Sequence, residues 1–131
     1  MNGAYGLNSF VIDGETYLAV ANEFNDSTGN INSKIYKWNG SSFVEFQSIP
    51  THGACGWESF VIDGATYLAV ANYSNDSTAN IDSKIYKWNG SSFVEFQSIP
   101  THGAVGWESF VIDGETYLAV VGFQFRWAEF F

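Results

Sequence analysis

The chain has 131 residues, a formal net charge of −9 and only five Lys and Arg. That length gives one domain with a modest core, and the acidic surface repels phosphate backbones and anionic lipid headgroups, so neither nucleic acid nor a membrane surface is an expected partner. No apolar run is long enough for a transmembrane helix.

Aromatic residues make up 18% of the chain and only two prolines occur, beside many Gly, Asn and Ser. This composition fits an all-β protein with tight turns. Residues 51–100 repeat residues 1–50 at roughly 40 of 50 positions, and 101–120 begin a third copy. Met1 opens no recognisable signal peptide, and residues 1–6 read as the middle of a repeat. A period near 50 indicates a stacked or circular repeat fold.

One copy divides readily. Trp57 to Ile62 is a strand run, closed by Asp63-Gly64, and Thr66 to Ala71 is a second run. Asp-Gly between two such runs predicts a type I′ hairpin, because both turn residues need positive φ. A polar loop over Asn72 to Asp82 follows, then a strand from Lys84 to Trp88. Asn89-Gly90 supplies a second tight turn, and Phe93 to Ile99 forms a fourth strand that Pro100 is expected to end. No stretch has helical periodicity.

Each repeat is therefore predicted to be a four-stranded antiparallel meander. The run TYLAVA is apolar on both faces, so both faces of its sheet need covering. Blades stacked around an axis meet that need, which makes the chain an all-β set of β-propeller blades. A β-sandwich is the alternative, and it accounts less well for the period. The blades are placed at 7–50 and 57–100, with a partial third at 107–131. The tail VGFQFRWAEFF leaves the repeat after Val120. Phe125-Arg126-Trp127 mirrors Tyr86-Lys87-Trp88, so residues 123–128 either supply a third strand after a shortened turn at Gly122 or have no structural role.

The pattern SFVIDGxTYLAVAN, then SKIYKWNGSSFVEFQSIPTHGA, then WESF resembles the epilepsy-associated repeat, also called the EPTP repeat, over residues 3–120. The resemblance implies about two and a half blades of a seven-bladed propeller of the kind carried by the leucine-rich glioma-inactivated proteins. It also implies an extracellular or cell-surface location and a protein ectodomain or receptor as partner. The family pattern has an acidic residue before the Trp, where this chain has Gly56 and Gly106, and the first copy has Leu7-Asn8 in place of Trp-Glu. A multivalent carbohydrate-binding lectin, with one sugar site per blade built from Trp, Asn and Glu, is the alternative function.

Several residues carry candidate chemistry. Glu58 and Glu108 open the first strands, which line the channel of a propeller, and carboxylates there could hold Ca²⁺ or could simply be solvated. Asn25 and Asn75 are glycosylation candidates in the polar loops, and Asn72 also heads a sequon. Asn39 and Asn89 match the same motif but sit in Asn-Gly turns. The loop residues Asp26, Asn30, Asn32, Asp76, Asn80 and Asp82 are oxygen-rich, with a spacing unlike an EF-hand. His52 and His102 read as hydrogen-bonded turn residues rather than metal ligands. Cys55, alone and aligned with Tyr5 and Val105, reads as a buried structural thiol. No nucleophile, base and oxyanion hole assemble, so no enzyme is expected. Two and a half blades cannot close a ring, so the chain is expected to be either a piece of a longer protein or a unit that self-associates to complete a propeller.

Overall fold

The computed structural model describes residues 4–25 and 27–122, and the backbone of 126–129. It is all-β: three antiparallel sheets in succession, each a meander in chain order. Blade 1 holds β1 (Ala4–Ile12), β2 (Glu15–Asn22), β3 (Asn30–Trp38) and β4 (Phe43–His52). Blade 2 repeats it with β5 (Ala54–Ile62), β6 (Ala65–Asn72), β7 (Asn80–Trp88) and β8 (Phe93–His102). Blade 3 has β9 (Gly106–Ile112), β10 (Glu115–Val121) and β11 (Arg126–Glu129). These are propeller blades packed face to face, and the ring is not closed.

The hairpins follow from their turn residues. Asp63 and Gly64 have φ of 51° and 80°, and the pairs at 13–14 and 113–114 match them within a few degrees. That is the double positive φ of a type I′ turn, which Asp tolerates and Gly adopts without strain. The second turn differs from the expected two-residue form. It is a four-residue loop in which only Gly40 or Gly90 takes positive φ. The Asn89 side chain closes it, its Oδ1 accepting the N–H groups of Ser91 and Ser92 at 3.0 and 2.9 Å. Asn is thus chosen here for its side-chain acceptor and not for a left-handed backbone.

Several strands run further than their sequence predicts, and β7 begins at Asn80 rather than Lys84, which shortens the polar loop. Pro50 and Pro100 do not end β4 and β8, which continue to His52 and His102, with Pro100 opposite Asp82. Both strands lie at the outer edge of their sheet, where a missing N–H is tolerated. The first strands also begin early, at Ala4 and Ala54, through a register shift between Ala54 and Gly56 that leaves Cys55 as the extra residue.

Two slabs of core lie between the blades. The first joins Tyr17, Ala19, Ala21, Ile35 and Ile49 of blade 1 to Trp57, Leu68, Val70, Tyr86 and Phe93 of blade 2. The second joins Phe60, Tyr67, Ala69, Ala71 and Ile85 of blade 2 to Trp107, Leu118 and Val120 of blade 3. Alternate residues of TYLAVA therefore serve opposite slabs: Tyr67, Ala69 and Ala71 face blade 3, while Leu68 and Val70 face blade 1. This is why the run is apolar throughout. The alternation of small Ala against large Leu, Trp and Tyr lets consecutive sheets interdigitate. The first strands of neighbouring blades approach most closely: a Cβ on Gly6 would lie 2.8 Å from the Cys55 carbonyl oxygen. They form the inner side of the stack, and the sheets fan outward from it.

The third blade has a shortened return to its third strand. Arg126 pairs with Val120 and Ala128 with Leu118, as Lys84 pairs with Val70 and Tyr86 with Leu68. The expected third strand therefore exists over 126–129, in the register of β7. Its register sets Arg126 and Trp127 level with Lys84 and Ile85, not with Lys87 and Trp88. Residues 123–125 of the expected strand, Phe125 included, lie outside the described residues.

Candidate functional site

Glu58 and Glu108 stand on the inner strands β5 and β9, as expected, but Glu58 is already engaged. Its Oε2 accepts the N–H and the hydroxyl of Ser109 at 2.9 and 2.8 Å, pinning blade 2 to blade 3. Charge-assisted acceptance of two donors is a strong use for a half-buried carboxylate. Among the described residues, no group of three or more His, Cys, Asp or Glu is placed to hold a metal. Blade 1 has Asn8 at the position of Glu58, and its Oδ1 is buried without a partner.

The tryptophans of the Trp-Glu pairs are structural. Trp57 and Trp107 are buried between blades, and the Trp107 indole N–H donates to the Val70 carbonyl at 3.0 Å. The Trp57 indole N–H is buried and unpartnered. Nothing in the sequence pattern distinguished these two copies of one motif.

The polar loops form a continuous rim at one end of the blades. Each loop is folded on its own Asn: Oδ1 of Asn25 accepts from the N–H groups of Ser27 and Thr28 at 2.8 and 2.9 Å, and Asn75 does the same for Ser77 and Thr78. The loops are then joined across blades. Asp76, at a left-handed φ of 76°, accepts the Gly29 N–H at 3.0 Å and the Thr28 hydroxyl. The Asn30 amide donates to the Asn75 carbonyl at 3.1 Å. The bonds from Thr28 and Gly29 hold the Asp76 carboxyl below the ordinary carboxylate range. Phe24, on the blade 1 loop, is exposed. Of the oxygen-rich loop positions, Asp76 and Asn30 come together, and Asp26 lies outside the described residues.

The remaining candidates have structural partners. Nδ1 of His52 meets Asn30 Oδ1 at 2.6 Å, and His102 meets Asn80 in the same way, across the β3–β4 and β7–β8 ladders. The histidines are hydrogen-bonded, as expected, but they are the last residues of strands β4 and β8 rather than turn residues. Asn72 is buried: its amide donates to the Asp82 carbonyl and its Oδ1 accepts the His52 N–H. That sequon cannot present an acceptor to a transferase. Asn25 and Asn75 remain on the rim, half-buried, with Oδ1 occupied by the turn. Cys55 is buried, and burial, reinforced by the Glu23 carboxylate, pushes its thiol up to about 12. It is an inert thiol.

The outer strands carry a bridge that sequence reading missed. The Gln47 side chain reaches from β4 to β8 and pairs with both backbone groups of Phe93, donating to its carbonyl at 2.8 Å and accepting its N–H at 2.9 Å. Lys34 and Lys84 bond Ser48 and Ser98 at 2.7 Å and lie within 3.3 and 3.5 Å of Glu45 and Glu95.

The family model described as the EPTP domain matches residues 1–39, 42–89 and 92–126. The chain belongs to the EPTP family. The EPTP matches are offset from the sheets: the second runs from β4 of blade 1 through β7 of blade 2. The third likewise runs from β8 of blade 2 into β11 of blade 3, whereas the first lies within blade 1, so two of the three matches cross from one blade to the next. A search of curated proteins finds no match to this EPTP chain.

Proposed function

We propose that this EPTP chain is an extracellular protein-interaction module that binds the ectodomain of a receptor or ligand through its loop rim. The observation that carries the reading is the Asp76 clamp. It joins Thr28, Gly29 and Asn30 of one loop to Asn75 and Asp76 of the next, and Phe24, on the first of these loops, is an exposed aromatic side chain. An aromatic side chain held on a rigid polar platform is the pattern of a protein-binding hot spot. Membership in a repeat family of interaction propellers supports the same reading. Glycans on Asn25 and Asn75 would flank this rim, which suits a secreted glycoprotein.

The test is binding of the purified full chain, expressed through a secretory host, to an array of cell-surface ectodomains and to a glycan array. Binding to an ectodomain that weakens about tenfold or more in Phe24→Ala is expected. Glycan binding inhibited by a simple monosaccharide, with no ectodomain bound, would replace this reading with that of a lectin.

A further inference from the structure

The open face of blade 1 carries an apolar groove of about 260 Å³ lined by Leu7, Leu18, Val20, Tyr36 and Phe43. Leu7 is 66% exposed and Phe43 42%. One repeat further on, the same positions are Trp57, Leu68, Val70, Tyr86 and Phe93, and all are buried in the first core slab. The groove is therefore an open copy of a socket that blade 1 fills on blade 2, and whose inner part blade 2 fills on blade 3. The filling group is also repeated. Tyr17, Ala19 and Ala21 enter the first slab and Tyr67, Ala69 and Ala71 the second. Blade 3 presents the third set, Tyr117, Ala119 and Val121, on its outer face. Val121 is 48% exposed, where its counterpart Ala21 is fully buried.

We propose that a second copy of this chain docks the outer face of its third blade into the first-blade groove. The contact repeats the interface between blades 2 and 3. Its polar register follows from that interface: Glu108 of one copy accepts the N–H and hydroxyl of Ser9 of the other, as Glu58 accepts those of Ser109. Socket and plug lie on opposite ends of the chain, so the contact is heterologous and propagates until a ring closes. Each copy has a net charge of −9, so the copies repel and association strengthens with salt. This inference does not depend on the loop rim or on any ectodomain.

The experiment is sedimentation velocity on the full chain over a concentration series at moderate salt. The wild-type mass should grow beyond one chain as concentration rises. Leu7→Glu and Val121→Glu each place a charge on a position already open to solvent. Each should weaken association about tenfold or more while leaving the melting temperature of the dilute chain unchanged. An equimolar mixture of the two variants should form a 1:1 pair, because each retains the half that the other lacks. Glu108→Ala, which leaves both apolar faces intact, should weaken association more modestly. A wild-type chain that stays at monomer mass at every concentration would overturn the proposal. So would a Val121→Glu variant that associates like the wild type, since the groove would then be pairing with itself, or a variant mixture that forms no pair.

Discussion

The two blade interfaces come from nearly the same sequence yet are pinned in different places. Between blades 2 and 3 the polar pins are on the inside: Glu58 holds Ser109 and Trp107 holds the Val70 carbonyl. Between blades 1 and 2 the matching inner groups, Asn8 Oδ1 and the Trp57 indole N–H, are buried without partners. There the pins include the Gln47 bridge to Phe93, the His52 N–H on Asn72 Oδ1 and the Asp76 loop clamp. The apolar slab is common to both. An apolar slab sets that two blades stack, because its burial is non-directional. The hydrogen bonds set their register, and they can be placed at either radius.

The largest effect should come from comparing one residue in the two settings of the socket. Leu68 is fully buried against blade 1, while Leu18 lines the open groove. Leu68→Ala should cost about 3 kcal/mol, the range for a core leucine, and Leu18→Ala about 1 kcal/mol or less. Urea denaturation of dilute chain measures both. Equal losses would mean that the groove is already covered in solution.

A smaller effect concerns the inner pin. Glu58→Ala leaves the Ser109 N–H and hydroxyl without their acceptor and should cost about 1–2 kcal/mol. Asn8→Glu supplies blade 1 with the missing carboxylate, within reach of Ser59, and should gain about 1 kcal/mol in the same measurement. A destabilising Asn8→Glu would show that the interface between blades 1 and 2 has a spacing that the longer side chain cannot use.

The smallest effect is that of the loop clamp on pH dependence. The Asp76 carboxyl titrates below its ordinary value of 3.8 in the folded chain. A group depressed in this way binds its proton more readily when unfolded, so its contribution is present above the ordinary value and is lost as pH falls through the folded value. Asp76→Asn should lower the melting temperature slightly at neutral pH and converge with the wild type below about pH 4, so that its acid limb is flatter. An acid limb identical to the wild type would show that the clamp does not titrate with the fold.

Much of this fold was legible in the sequence because its signals are local. Asp63-Gly64 specifies its hairpin through backbone sterics, and TYLAVA announces a sheet covered on both faces by composition alone. The repeat supplied the rest, since each blade confirms its neighbour. What was illegible depends on contacts about fifty residues apart. Gln47 lies in an outer strand like any solvated residue, and only the fan of the sheets brings it to Phe93. Glu58 was readable as an inner carboxylate, but its engagement with Ser109 requires the closeness of β5 and β9. Pro100 misled because a terminator in a central strand is only an edge residue once the strand order is known. The tail's register was off for a related reason: chemical likeness to Tyr86-Lys87-Trp88 does not fix which residue of β10 each one faces.

The prolines at 50 and 100 have one further consequence. An exposed outer strand invites lateral addition of another strand, and a proline within it interrupts the row of donors such an addition would use. Both four-stranded blades end outward on a strand that carries one. Growth sideways, by the route that leads to fibrils, is thereby discouraged in each blade. Growth along the stack, the direction of the proposed contact between copies, is left untouched by the placement of the two prolines.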